Sequence, residues 1–247
     1  MSLFWSTFVL SAGIAFGASN HLPADSLKKV REVLQNETAC FVLKEKSANK
    51  PEITFGKATC EETYPLGNRE LMPLAALATD LGLIQDEKTL FKWDGTRYPN
   101  RLWNKDQFVT DWIQNQVAWV TDRLRLQIGS QAIEKYLAGV QLGGESSTEK
   151  FLIFSERFFT GALPTSRAHQ EVSKRFFFLG KYRFGSELWG QKASDLNHAS
   201  FTGCLVSKNR VWTFSTHLSP SKNSKEPLTA ERAQALSMDI LTELGLF

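Results

Sequence analysis

The chain has 247 residues, of which 42% are hydrophobic and 22% charged, enough apolar material for a sizeable core in an ordinary globular composition. Its 29 basic and 26 acidic residues leave a net charge of +3 with the two signs interspersed, which excludes a basic footprint for nucleic acid. Three cysteines and four dispersed histidines offer no metal-ligand spacing, so neither a metal nor another cofactor is expected.

Residues 1–19, "MSLFWSTFVLSAGIAFGAS", form an apolar run that ends in small residues and is followed by polar "NHLPADS". The run reads as a secretory signal peptide cut after Gly17, Ala18 or Ser19. Because no Lys or Arg precedes it, an uncleaved membrane anchor is the alternative. Both readings predict export, to the periplasm or outside the cell. No other stretch approaches the length of a membrane span.

"CFVLKE" (40–45) and "EITFGK" (52–57) read as strands joined by the turn-forming "KSANKP". Cys40 and Cys60 flank this hairpin and are the plausible disulfide pair, leaving Cys204 over, with buried free thiols as the alternative. Closing that loop contributes about 3 kcal/mol in the chain-entropy model. The run Leu71–Ile84 is apolar on nearly every face and predicts a core helix, with Asn68 as its N-cap and Pro73 near its start, where proline costs least. A second helix is predicted from Asn104, with Gln107 completing a capping box, to Gly129. Its stripe of Phe108, Trp112, Val120 and Leu124 is interrupted by Gln116, which is either hydrogen-bonded in the core or faces a cleft.

A short helix (131–138), a loop "GVQLGGESSTE" (139–149) and a helix from Thr165 or Ser166 to Leu179 follow. Strands are predicted at "ELWGQK", "HASFTGCLV" and "RVWTFSTH", the last two joined by the turn "SKN". Thr229 caps a terminal helix whose inner face carries Leu236, Ile240, Leu241 and Leu244. This order suggests an α/β (α+β) fold in which the two chain ends complete one sheet.

Taken in order, these segments resemble the class D (oxacillinase-type) β-lactamases, relatives of the penicillin-binding transpeptidases. Phe91, Trp93, Asp94 and Gly95, then Trp103 and Asp106, stand as the family's Phe-x-Trp-Asp-Gly and Trp-x-x-Asp elements. "ACFVLKE", "IEKYLAGVQLGG", "ASFTGCLV" and the last helix extend the likeness over nearly everything after residue 38. The resemblance implies a mainly antiparallel sheet flanked by helices plus an all-helical lobe. Residues 20–247 then form a single unit, with a sheet lobe of about 20–65 plus 180–247 and a helical lobe of about 66–179.

The family's chemistry needs a serine nucleophile and, three residues on, a lysine that takes its proton. Anchored on Tyr64 and Pro73, the register places Asn68 and Leu71 at those positions, and neither can do the work. The second motif, Ser-x-Val, falls on Gln116, which moves the reading of that residue toward a cleft-facing side chain. Tyr-Gly-Asn becomes Leu142, Gly143, Gly144, and the tryptophan that shields the lysine becomes Leu152. The Lys-Thr/Ser-Gly motif becomes Gln191, Lys192, Ala193, where a one-residue slip would keep Lys192 as the cation; the carboxylate-binding arginine becomes Thr229.

The resemblance therefore implies a catalytically inactive, exported relative with a binding, scaffolding or assembly role. Its partner would be another envelope protein or a cell-wall peptide, with no nucleic acid and no membrane beyond an N-terminal anchor. Two alternatives are carried: a β-lactam- or peptidoglycan-binding protein using Lys192, and a weak hydrolase with Ser194, Cys204 or Cys60 as nucleophile.

Overall fold

A computed structural model describes residues 24–34, 37–46, 48, 53–182, 185–221 and 227–247. The expected signal segment 1–19 and most of the "KSANKP" turn lie outside the described residues. The first element is a helix, α1 (Ala24–Leu34), which the sequence reading left unassigned. Leu27, Val30 and Leu34 recur on it at helical spacing and pack with the sheet-side core.

Strand β1 (Thr38–Glu45) is buried on both faces and pairs antiparallel with the short β2 (Ile53–Phe55). The predicted strand through Lys57 stops at Phe55 because Gly56 turns the chain at φ +67° into α2 (Lys57–Glu61). A side chain could not be placed there, since a Cβ on Gly56 would stand 1.9 Å from the carbonyl oxygen of Ala39. Helix α2 carries Cys60, which is disulfide-bonded to Cys40 of β1.

After β3 (Tyr64–Pro65) a 3-10 turn, Gly67–Glu70, leads straight into α3 (Leu71–Asp80), every residue of which is buried from Leu71 to Thr79. The helix ends four residues earlier than expected, where Gly82 turns at φ +74°. Strands β4 (Leu90–Phe91) and β5 (Gln107–Phe108) then form a small hairpin.

The single helix expected over 104–129 is two, α4 (Val109–Asn115) and α5 (Ala118–Ile128). Asn104 does not cap it: its side chain bonds both the amide and the carbonyl of Tyr98 and closes the loop between them. Gln107 is in the β5 strand, Phe108 is exposed rather than part of the stripe, and the amide of Phe108 donates to Asp111 Oδ2. Gln116 sits at φ 50°, a left-handed conformation that a continuous helix cannot contain.

Helix α6 (Ser130–Gly139) precedes β6 (Glu145–Ser146), which pairs with β3. Helix α7 (Thr148–Thr160) begins inside the predicted loop, with Ser147 Oγ accepting from the amide of Lys150. The helix expected to reach Leu179 ends as α8 (Arg167–Arg175), because Phe178 and Leu179 belong to an edge strand, β7 (Phe178–Lys181). Strands β8 (Glu187–Ser194), β9 (Ala199–Ser207) and β10 (Arg210–Ser219) and helix α9 (Ala230–Glu243) complete the chain.

The main sheet is antiparallel with strand order β2-β1-β10-β9-β8-β7, so the first and last strands of the chain's two ends lie side by side. On one face Phe41, Leu43, Leu188, Phe201 and Phe214 pack under α9 with Ile240 and Leu241. On the other, Trp189, Cys204 and Val211 pack against the helices of the middle segment, including Leu71, Trp112 and Phe158. Gly190 and Gly203 allow close approach among β8, β9 and β10, since a Cβ on Gly190 would stand 2.7 Å from the Phe201 ring and one on Gly203 2.7 Å from the Phe214 ring.

Candidate functional site

The 3-10 turn at Gly67–Glu70 lies beside strand β8 and carries the residues at the expected nucleophile position. Asn68 is not an N-cap. The backbone is already helical at Leu66 and Glu70, so the turn runs into α3 without the extended residue that a cap requires. The Asn68 side chain instead donates through Nδ2 to the carbonyl of Ser194, 2.9 Å away, while the Asn68 backbone carbonyl accepts from Gln191 Nε2. These two bonds lock turn to strand.

The next residue, Arg69, is only 4% exposed. Its Nη2 donates to the carbonyls of Tyr64, Pro65 and Ser146, and its guanidinium lies 4.0 Å from the centre of the Tyr64 ring. Carbonyl oxygens and a ring face thus take the place of water around a buried cation. Burial holds the Arg69 guanidinium below the usual arginine range, opposed by Tyr64 and Asp195. Leu71, 1% exposed, belongs wholly to the apolar cluster of α3.

Around the turn is a stack of rings. Tyr64 lies 3.8 Å from His217 and 4.9 Å from His198, nearly parallel to both, and shares a hydrogen bond with Thr148. Burial raises the Tyr64 hydroxyl above its usual range. Burial, and secondarily Arg69 and His198, lowers His217 to about 3, so its imidazole is neutral. Together with Asn68, Ala193 and Ser200 these residues line a cavity of only about 10 Å³. Nothing larger than a water molecule fits it.

The geometry can be set beside known proteins. Residues 43–151 match the penicillin binding protein transpeptidase domain. Over 98% of its length the chain is 27% identical to β-lactamase OXA-1 of Escherichia coli, covering 97% of that protein. It is 22% identical over 87% of its length to the regulatory protein BlaR1 of Staphylococcus aureus, of which it spans 39%. Among solved structures, the class D β-lactamase BAT-2 superposes with a TM-score of 0.79 at 18% identity, covering 88% of this chain and 96% of that one. The class D β-lactamase of Bacillus subtilis does so with the same TM-score at 16% identity. In sequence the chain is thus similar to the class D β-lactamases, and it has their fold.

Of the positions expected from the resemblance, the structure brings Asn68 and Gln191 into direct contact. Lys192, kept in view as a cation for the cleft, is a correction. By strand alternation it projects from the face of β8 opposite Gln191, and its ammonium lies 3.1 Å from Glu231 in the first turn of α9. Gln116 is half-buried between α4 and α5 and makes no hydrogen bond to Asn68 or Gln191. Leu142 is buried in the same cluster as Leu71. Gly144 is exposed, its carbonyl accepting from the amide of Leu66.

Leu152 corrects a second expectation. It is buried with Cys40, Val42 and Cys60 beside the disulfide, apart from Leu71; the α7 residues in the cluster of Leu71 are Phe151, Phe154, Phe158 and Phe159. Thr229 caps α9, its hydroxyl accepting from the amide of Arg232. Of the alternative nucleophiles, Cys60 is consumed by the disulfide. Cys204 is buried, with its thiol pushed up to about 12 by that burial. Ser194 shares the strand face of Lys192.

The sequence reading missed Arg69 and treated the histidines as dispersed. One signal would have found the latter: the turn at Lys208 and Asn209 fixes the hairpin register of β9 and β10. That register pairs Ser200 with His217 and brings His198 alongside.

Proposed function

We propose that this protein is a catalytically inactive relative of the class D β-lactamases, exported to the cell envelope and retained for a binding, scaffolding or assembly role. The observation that carries the reading is the state of the nucleophile turn. At its head stands a residue whose side-chain amide donates to Ser194 and whose backbone carbonyl accepts from Gln191, and one turn on stands a leucine inside an apolar core. An amide is no nucleophile at neutral pH, and a hydrocarbon cannot relay a proton. Losing one member of such a catalytic unit typically costs several orders of magnitude in rate.

A binding role is also supported by the similarity to a protein named as regulatory, BlaR1. The partner proposed is an envelope protein or a cell-wall peptide. After incubation of the purified protein with a penicillin, intact-mass spectrometry is expected to show the unmodified mass alone. A stoichiometric adduct would overturn the proposal. Turnover of a chromogenic cephalosporin, lost on changing Ser194 or Cys204, would establish the weak-hydrolase alternative instead.

A further inference from the structure

We propose that the groove between the Gly67–Glu70 turn and helices α5 and α6 binds a small amphiphile with an apolar body and a single cationic head. The groove shares Pro65 and Leu66 with the cavity around Asn68 but extends away from it between α5 and α6, and the inference is independent of any reaction at Asn68. The groove has a volume of about 630 Å³, against about 10 Å³ for the cavity lined by Asn68 and the histidines. That is the size of pockets that enclose small organic molecules.

Its apolar wall is formed by Leu66, Leu126, Ile133 and Leu137. Leu126 is 85% exposed at the rim, a large apolar surface that nothing else in the chain covers among the described residues.

The charges select the head group. Glu70 and Arg125 lie within the groove and form an ion pair at 2.5 Å, and the guanidinium also lies 3.9 Å from Asp122. Arg125 is thus held by two carboxylates. Glu134, on the α6 side, makes no ion pair among the described residues. The groove therefore carries two carboxylates against one guanidinium, a net negative field that attracts a cation and repels an anion. Glu70 is the less exposed of the pair, and burial raises its carboxyl above the usual range. A cationic head close to it would favour its charged form.

The test uses the full chain with octylammonium and octanoate, below their micelle-forming concentrations, followed by calorimetry and by protein-observed NMR. Octylammonium is expected to bind with a stoichiometry of one and to weaken as salt is added. Octanoate is expected to bind several-fold less tightly. Ile133→Trp should fill the groove and abolish binding, and Glu134→Gln should weaken octylammonium about threefold, as for an exposed charge pair. Leu126→Ser provides a second variant at an exposed position that the fold tolerates, and it should also weaken octylammonium. Equal affinity for the two probes, or binding unchanged by both Ile133→Trp and Leu126→Ser, would overturn the proposal.

Discussion

At the scale of single residues, the turn at Gly67–Glu70 ties together the elements around it. Asn68 bonds to β8, Arg69 pins β3 to β6 through three carbonyls, and Leu71 fills the core. His217 belongs to the same assembly and gives it a pH dependence. Burial lowers its folded-state value to about 3, beneath the 6.5 of an unfolded histidine. Between these two values the unfolded chain binds more protons than the folded one, so stability is fully present above the unfolded value and is lost as pH falls. Arg69 and His198 face the ring and oppose its protonation, whereas the hydroxyls of Tyr64 and Ser219 remain neutral. Going from neutral pH to about pH 4 is expected to cost about 3 kcal/mol through this group, read from urea midpoints. His217→Gln should lower stability at neutral pH yet flatten its fall with acid. An unchanged slope would show that His217 is not the group responsible.

At the scale of elements, the strands β1, β8, β9 and β10 and the terminal helix are legible in the sequence because their signals are local. The β9–β10 turn has two left-handed residues, Lys208 and Asn209, at the expected "SKN", and Thr229 caps α9. The boundary of α4 and α5 was not legible, because helical spacing continues across Gln116 and nothing in a residue's type announces φ 50°. The Asn68 cap failed for a related reason: a favourable residue type caps a helix only if the backbone before the helix is extended. The lobe-facing side of β8 was open to a one-residue ambiguity in sequence, and only the pairing Gln191↔Thr202 with the Asn68 bond fixes that Gln191, not Lys192, faces the turn. The disulfide joins two elements, β1 and α2, across a sequence separation of 20. Replacing both Cys40 and Cys60 by alanine is expected to lower the unfolding free energy by about 3 kcal/mol under oxidising conditions. Adding reductant to the unsubstituted chain should reproduce that loss, measured as a shift of the urea midpoint.

At the scale of the whole molecule, the two apolar clusters share one sheet. Neighbouring residues of a strand divide between them: Leu188 and Trp189 on β8, Leu205 and Cys204 on β9, Trp212 and Val211 on β10. The helices of the middle segment therefore have no complete core without the sheet, and the sheet is not closed until β1 meets β10, pairing Thr38 with Ser219 through Glu45 with Trp212. Such long-range pairing raises the entropic cost of forming a nucleus and slows folding, but once formed it ties both clusters to the same strands. Tryptophans report on both sides, Trp112 and Trp119 in the helix-side cluster and Trp212 in the other. With the disulfide intact, unfolding followed by tryptophan fluorescence and by far-ultraviolet circular dichroism is expected to give coincident urea transitions. Phe214→Ala, which opens a hole only in the cluster under α9, should shift both probes to lower denaturant together, by about 3 to 5 kcal/mol. If fluorescence from the helix side kept its midpoint while the sheet signal moved, the shared strands would not couple the two halves, and the middle segment would have to hold its packing by itself.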